Sequence, residues 1–260
     1  MPSGSQSLGT GFNNTTIDSL GLISGATGGS PQGIYNESSS QEYPIGTKRE
    51  FEDGRVFRYA SFAAATGAGL VVSQDISATA IVESDGKLTA AAAGATEVIY
   101  TDSGTVGSAT ANQYAGGYLH TTDDAGEGYN YRIKSNTAAS SNAVTFTLYD
   151  SLQVAVTTAT DVAVTGNLYN QVRAALGTAD YIVCGVTPIA FTSGYYGWVQ
   201  TRGIAVILTD GSDIGIGVPT MLSDATAGAV EVADNSHPLV GFITHAGDDT
   251  GYMGVALQLP

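Results

Sequence analysis

Val144-Thr145-Phe146-Thr147-Leu148-Tyr149 alternates apolar and polar side chains through its length. In an extended strand successive side chains point to opposite faces, so this period of two places Val144, Phe146 and Leu148 together on one buried side. Working outward, Asn136 to Asn142 is a polar turn, and Tyr129 to Lys134 before it sets Tyr129, Tyr131 and Ile133 on one side. Thr96 to Thr101, Tyr118 to Thr121 and Ser77 to Val82 read as further strands, with Asp85-Gly86 as a turn. Toward the C-terminus the same grammar continues in Tyr181–Val186, Ile189–Thr192, Tyr195–Thr201, Ile204–Thr209, Ala229–Val232, Leu239–Thr244 and Tyr252–Leu259, with a loop around Pro219. Closely spaced short strands with Gly and Asp turns specify an all-β fold of sandwich-like or barrel-like modules. Helix is expected only as a short turn at Ala63 to Ala68 and a short segment at Asn170 to Leu176.

The N-terminal part differs. Residues 1–45 are rich in Gly, Ser, Asn and Thr, with single apolar residues such as Phe12, Ile17, Leu20, Leu22, Ile34 and Tyr35. Such a segment cannot build a core of its own. It reads either as a tail or as an extended arm that orders against a neighbour, and the spaced apolar residues favour the arm. Residues 46–75 are a connecting segment. It opens with a hairpin in which Asp53-Gly54 supplies the turn, because Gly accepts the positive φ that tight hairpins need, and ends in the short strand Leu70 to Ser73. Residues 76–178 then form a β domain, expected to face outward, and 179–260 a C-terminal β module.

Charge narrows the partners. The chain has 260 residues and a net charge of −15, from nine Lys and Arg against 24 Asp and Glu. Phosphate backbones would be repelled, so no direct nucleic-acid partner is expected. Four of the nine basic residues, Lys48, Arg49, Arg55 and Arg58, fall within eleven positions, ahead of an acidic body. No apolar run approaches the roughly 20 residues that span a bilayer as a helix, so no membrane partner is expected. Met1 to Thr16 is polar and lacks the features of a secretory signal, which places synthesis in a cytoplasm.

Catalytic and metal chemistry find little to work with. The single cysteine, Cys184, sits in the apolar run Tyr181-Ile182-Val183-Cys184-Gly185 and reads as a buried structural thiol. His120, His237 and His245 are the only histidines, and none lies near a nucleophile-elbow sequence. Asp123, Asp124 and Glu127, the pair Asp210 and Asp213, and the pair Asp248 and Asp249 are oxygen-ligand candidates for calcium, but none has EF-hand spacing. They read as solvated turn carboxylates. Gly215-Ile216-Gly217 lacks the strand-then-helix setting of a dinucleotide loop. No catalytic residue, cofactor or metal is expected, and the chain does not read as an enzyme.

Aromatic residues carry more information. Tyr195-Tyr196-Gly197-Trp198 and Tyr114 to Tyr118 set aromatics beside glycines. They read either as core packing in a glycine-rich β fold or as an interface or sugar-binding surface. Tyr195, Tyr196 and Trp198, with Lys48, Arg49, Arg55 and Arg58, are therefore the candidate interface residues. The stretch Ser193-Gly194-Tyr195-Tyr196-Gly197-Trp198-Val199-Gln200-Thr201-Arg202-Gly203, followed by a strand, the Asp210-Gly211 turn and Gly215-Ile216-Gly217-Val218-Pro219, resembles tailed-phage head decoration (cement) proteins. So does Asn112-Gln113-Tyr114-Ala115-Gly116-Gly117-Tyr118-Leu119, with Gly126-Glu127-Gly128-Tyr129-Asn130-Tyr131-Arg132-Ile133 after it. The resemblance covers residues 110–260. It implies a virion structural protein on the capsid surface, a homo-oligomer with the trimer favoured, and the major capsid protein as partner. It implies no catalytic residues. A carbohydrate-binding adhesin or fibre module, with glycan as partner, and a minor capsid subunit are the alternatives.

Overall fold

The computed structural model describes residues 32–74, 82–101, 106, 109–175, 182–211, 214–234, 236–245 and 251–259. Among them there is no α-helix. The strands run β1 (Lys48–Glu50), β2 (Val56–Ser61), β3 (Val71–Gln74), β4 (Val82–Leu88), β5 (Glu97–Thr101), β6 (Tyr118–Asp123), β7 (Asn130–Asn136) and β8 (Ala143–Leu148). They continue with β9 (Asp161–Thr165), β10 (Val172–Ala174), β11 (Val183–Val186), β12 (Tyr196–Leu208), β13 (Pro219–Leu222), β14 (Val230–Val232), β15 (Leu239–His245) and β16 (Tyr252–Gln258).

Six of them close a barrel in the order β4-β5-β8-β7-β6-β9. Its core follows from alternation. Val144, Phe146 and Leu148 of β8 point inward, with Tyr131 and Ile133 of β7 and Leu119 of β6. Phe146 is the hub, meeting Tyr100 at 6.0 Å and Tyr114 at 5.8 Å, both edge-on. Gly86 makes room for this packing: a Cβ there would lie 1.8 Å from the Tyr100 ring. A glycine inside a strand often marks such a close approach. Asp85-Gly86 is accordingly not a turn. It lies within β4, where the pairing to β9 shifts register between Glu83 and Gly86.

The other ten strands form one sheet, β10-β3-β11-β12-β16-β15-β13-β14, with β2 on β12 and β1 on β2. The barrel is an insertion in this sheet. The chain leaves the sheet after β3 and re-enters in β10, whose Val172 is the direct partner of Gln74. Entry and exit points that lie side by side are what an inserted domain needs. The segments 46–75 and 179–260, expected as separate units, supply three and six strands of this one sheet, and β10 supplies the tenth.

Several local expectations change for physical reasons. Gly203 does not separate two strands. It holds a φ of 84° inside the 13-residue β12, and pairing passes there from β2 to β16 at Arg202. The segment Asn170 to Leu176, expected as a helix, contains β10, because pairing to β3 overrides weak local propensity; Leu176 lies outside the described residues. Ala63 to Ala68 is not helical but a loop bridged, Thr66 to Phe191, to the loop after β11, and Ile189–Thr192 supplies only that bridge. Pro219 opens β13, the first-residue position where a missing N–H is tolerated. Strand β9 was not anticipated, although Asp161-Val162-Ala163-Val164-Thr165 alternates cleanly between half-buried and buried positions. Residues 77–81 of the expected strand Ser77 to Val82 lie outside the described residues.

The segment 32–45 packs on the sheet of its own chain. Ile34 is buried with Phe57, Tyr59 and Trp198, and Tyr43 packs against them. Gln32 pins the group: its Oε1 accepts from Tyr59 Oη at 2.8 Å, and its carbonyl accepts from Trp198 Nε1 and Arg49 Nη1, each at 3.1 Å. Residues 1–31 of the proposed arm lie outside the described residues.

Candidate functional site

Where the barrel meets the sheet, amide side chains form a clasp. Asn167 donates from Nδ2 to the Ile45 carbonyl at 2.9 Å and accepts the Tyr169 N–H on Oδ1 at 3.0 Å. Gln74 donates to the Asn167 carbonyl at 2.7 Å. Asn170 donates to the Gln113 carbonyl and accepts from Ser61 Oγ at 2.7 Å. Asn and Gln supply both donors and acceptors, so they can satisfy irregular backbone on either side of a junction. Gly116 completes the fit with a φ of 78°, and a Cβ there would sit 2.7 Å from Asn167 Nδ2.

Beside the clasp opens a cleft of about 510 Å³. One wall is the outer face of the barrel. Leu119, Tyr131 and Val164 point into the core, so their neighbours Tyr118 and His120 on β6, Arg132 on β7 and Thr165 on β9 point out. Pairing aligns Tyr118 with both Arg132 and Thr165. The rings of Tyr118 and His120 lie at 6.2 Å and 28°, and His120 Nε2 meets Thr165 Oγ1 at 2.9 Å. Partial burial pushes the His120 pKa down, toward the neutral imidazole. The facing wall brings Arg58 of β2, whose Nη1 donates to the Gly46 carbonyl at 3.2 Å and whose guanidinium lies 5.8 Å from the Tyr169 ring centre. Among the described residues lining the cleft there is no carboxylate.

The four clustered basic residues are divided between environments. Lys48 pairs with Arg58 across the β1–β2 hairpin while Arg49 pairs with Phe57, so alternation sends them to opposite faces. Lys48 bridges Glu50 at 2.5 Å and lines, with Arg58 and Arg202, a polar groove of about 250 Å³. Arg49 is buried, its guanidinium 4.8 Å from the Trp198 ring. Arg55 bridges Asp53 at 2.7 Å and reaches a different hollow. Trp198 is 1% exposed, within an aromatic cluster with Tyr43 and Tyr59. Tyr195 and Tyr196 are half-buried, and Tyr196 stacks on Tyr59 at 6.4 Å. The Trp198 ring is thus an internal anchor for residues 32–45 and cannot serve as an open sugar platform.

Sequence reasoning missed an open apolar feature of the surface. Ile204 and Val206 on β12 and Tyr252 on β16 stand outward, with Tyr35 beside them, around a hollow of about 320 Å³ rimmed by Arg55. Their exposures are 62%, 59%, 52% and 61% in that order. Ile204-Ala205-Val206-Ile207 reads as one apolar run, so only the buried alternate residues Ala205 and Ile207 show that its other face is open.

The remaining reactive groups occupy structural settings. Cys184 is fully buried, its sulfur 3.1 Å from the Leu168 carbonyl, and burial pushes its thiol pKa up. Ser236 Oγ touches His237 Nδ1 at 2.7 Å, but the nearby Asp234 accepts from the Ser236 backbone N–H instead of orienting the imidazole as a triad acid does. His245 is exposed at the end of β15. Asp123 accepts the Asp124 N–H, and Asp124 accepts from Thr157 Oγ1 at 2.9 Å, as turn carboxylates do. Asp210 accepts from Ser223 Oγ at 2.6 Å, which holds its carboxyl below the usual range. Asp213, Asp248 and Asp249 lie outside the described residues. Among the described residues no group of three or more His, Cys, Asp or Glu is placed to hold a metal ion. No family model, no curated protein and no solved structure matches the chain.

Proposed function

We propose that this chain is a virion structural protein that decorates the outer surface of a tailed-phage head as an oligomer and braces it. The observation that carries the reading is the open apolar face of β12 and β16. Isolated apolar residues on a surface are ordinary, but a contiguous group marks an interaction site. Ile204, Val206, Tyr252 and Tyr35 form such a group, and Arg55 at its rim gives the polar border typical of protein interfaces. We assign this face to contact between copies of the chain.

The groove of Lys48, Arg58 and Arg202 is the complementary feature. It offers three cations and one anion, Glu50, in a chain whose net charge is −15. We assign it to an acidic capsid exterior, where charge complementarity would fix orientation and speed encounter. The sequence resemblance over residues 110–260 supplies the identity of the shell, and the two rigid β modules suit a load-bearing role.

Electron cryomicroscopy of heads assembled with and without the protein tests this. Added density on the outer surface, lost in the variant Lys48→Glu/Arg202→Glu, is the expected result. Identical particles with and without the protein would overturn it.

A further inference from the structure

We propose that the cleft between barrel and sheet binds a carboxylate-bearing sugar residue of an acidic glycan. The inference does not depend on the decoration role. It rests on what four neighbouring side chains offer together.

Saccharide rings present an apolar C–H face and a polar edge. Sites for them therefore combine an aromatic surface with fixed hydrogen-bonding groups. Tyr118 supplies the surface. It opens β6 and is 41% exposed although paired on both sides, and its ring lies beside the imidazole of His120. A ring supported on one side and open on the other is preorganised, which lowers the ordering cost of binding.

The polar edge comes from the two walls. Arg132 stands directly across from Tyr118 in the β6–β7 pairing, and its side chain is held over the Tyr149 ring at 4.9 Å. Arg58 faces it from the sheet. Its Nη1 is engaged by the Gly46 carbonyl and its Nε is buried, so Arg58 contributes positive charge to the wall while Arg132 offers the exposed fork. Planar guanidinium groups match a carboxylate in two parallel bonds and remain charged at every working pH.

The charge pattern selects the ligand class. In a chain with net charge −15, the cleft lining holds two arginines and, among the described residues, no Asp or Glu. A neutral sugar would leave those cations unused, and a bare inorganic anion would leave the Tyr118 face unused. The junction clasp holds the two walls in register, so the site belongs to the whole chain and not to either module alone.

The test uses the full chain and a trigalacturonate probe, titrated by calorimetry alongside its methyl ester and inorganic phosphate. The acid form should bind at least about tenfold more tightly than either control, since charge-assisted bonds are lost in the ester and the stacking face in phosphate. Arg132→Ala and Tyr118→Ala should each weaken the trigalacturonate about tenfold or more while leaving the thermal midpoint close to wild type, because both side chains are exposed. Equal affinity for acid and ester, phosphate binding as tight as the saccharide, unchanged affinity in both variants, or no binding at millimolar probe would each overturn the assignment. Attachment of the variants to heads is measured separately, so loss of the glycan site and failure of the decoration role give different results.

Discussion

Replacing Asn167 with Ala should loosen the joint between barrel and sheet, and a second substitution can show that the clasp is the cause. Asn167 is 7% exposed and makes two side-chain bonds, to the Ile45 carbonyl and from the Tyr169 N–H. The alanine leaves both backbone groups without those partners, at about 1–3 kcal/mol for each one that stays buried. A total loss of about 2–6 kcal/mol is expected, toward the lower end if water enters. Gly116→Ala attacks the same place from the barrel side. The left-handed backbone, φ 78°, costs a non-glycine residue about 1–2 kcal/mol. The new Cβ would also lie 2.7 Å from an Asn167 nitrogen that is fixed by its bond to Ile45. In the Asn167→Ala background that contact is gone and only the backbone cost remains. The double variant should thus be less damaged than the sum of the singles, by about 1 kcal/mol or more. Urea denaturation of the four proteins, with hydrogen exchange at the Tyr169 amide, measures the cycle. Additivity within about 0.3–0.5 kcal/mol, the scatter of independent sites, would refute the clasp.

Two further outcomes follow from burial. Cys184 should resist thiol reagents in the native protein and react at the full stoichiometry of one only on unfolding, since it is fully buried and the thiolate is disfavoured there; rapid native labelling would show that the sheet opens at β11. Tyr59 has its phenol pKa pushed up to about 12, chiefly by burial, from an ordinary 10.0. The folded state therefore keeps its proton where the unfolded chain loses it. Stability from this group is intact below about pH 10 and declines as pH rises toward 12. In Tyr59→Phe the alkaline fall in melting temperature between those limits should be shallower, and an unchanged profile would assign the fall to other groups.

The sequence exposes much of the barrel and little of the cleft. Alternation identifies β8 because both of its faces have consistent partners, the core on one side and threonines on the other. It fails at β12, where the inner face is apolar and the outer face is apolar too, so the run carries no mark of which side is open. It also fails at Gly203, because a glycine that ends a strand and one that bends it look alike in sequence. The basic cluster is legible as composition, yet its division between Lys48 and Arg58 on one face and Arg49 beneath Trp198 requires the register of the hairpin. Trp198 reads as either a core or an interface aromatic, and only the cover supplied by Gln32 and Tyr43, more than 150 positions away, decides for the core. The cleft is the least legible feature. Tyr118, Arg132 and Arg58 come from two modules, and only insertion of the barrel between β3 and β10 sets them across from each other.

The proposed role depends most directly on self-association through the β12–β16 face. Light scattering of the purified full chain gives its mass in solution, with Val206→Lys as the comparison. The expected wild-type mass is about three times the 26.5 kDa of one chain, falling toward a single chain when lysine is placed beside Ile204 and Tyr252. A wild-type protein that stays a strict monomer at all concentrations, or a multimer untouched by Val206→Lys, would contradict the assignment of that face.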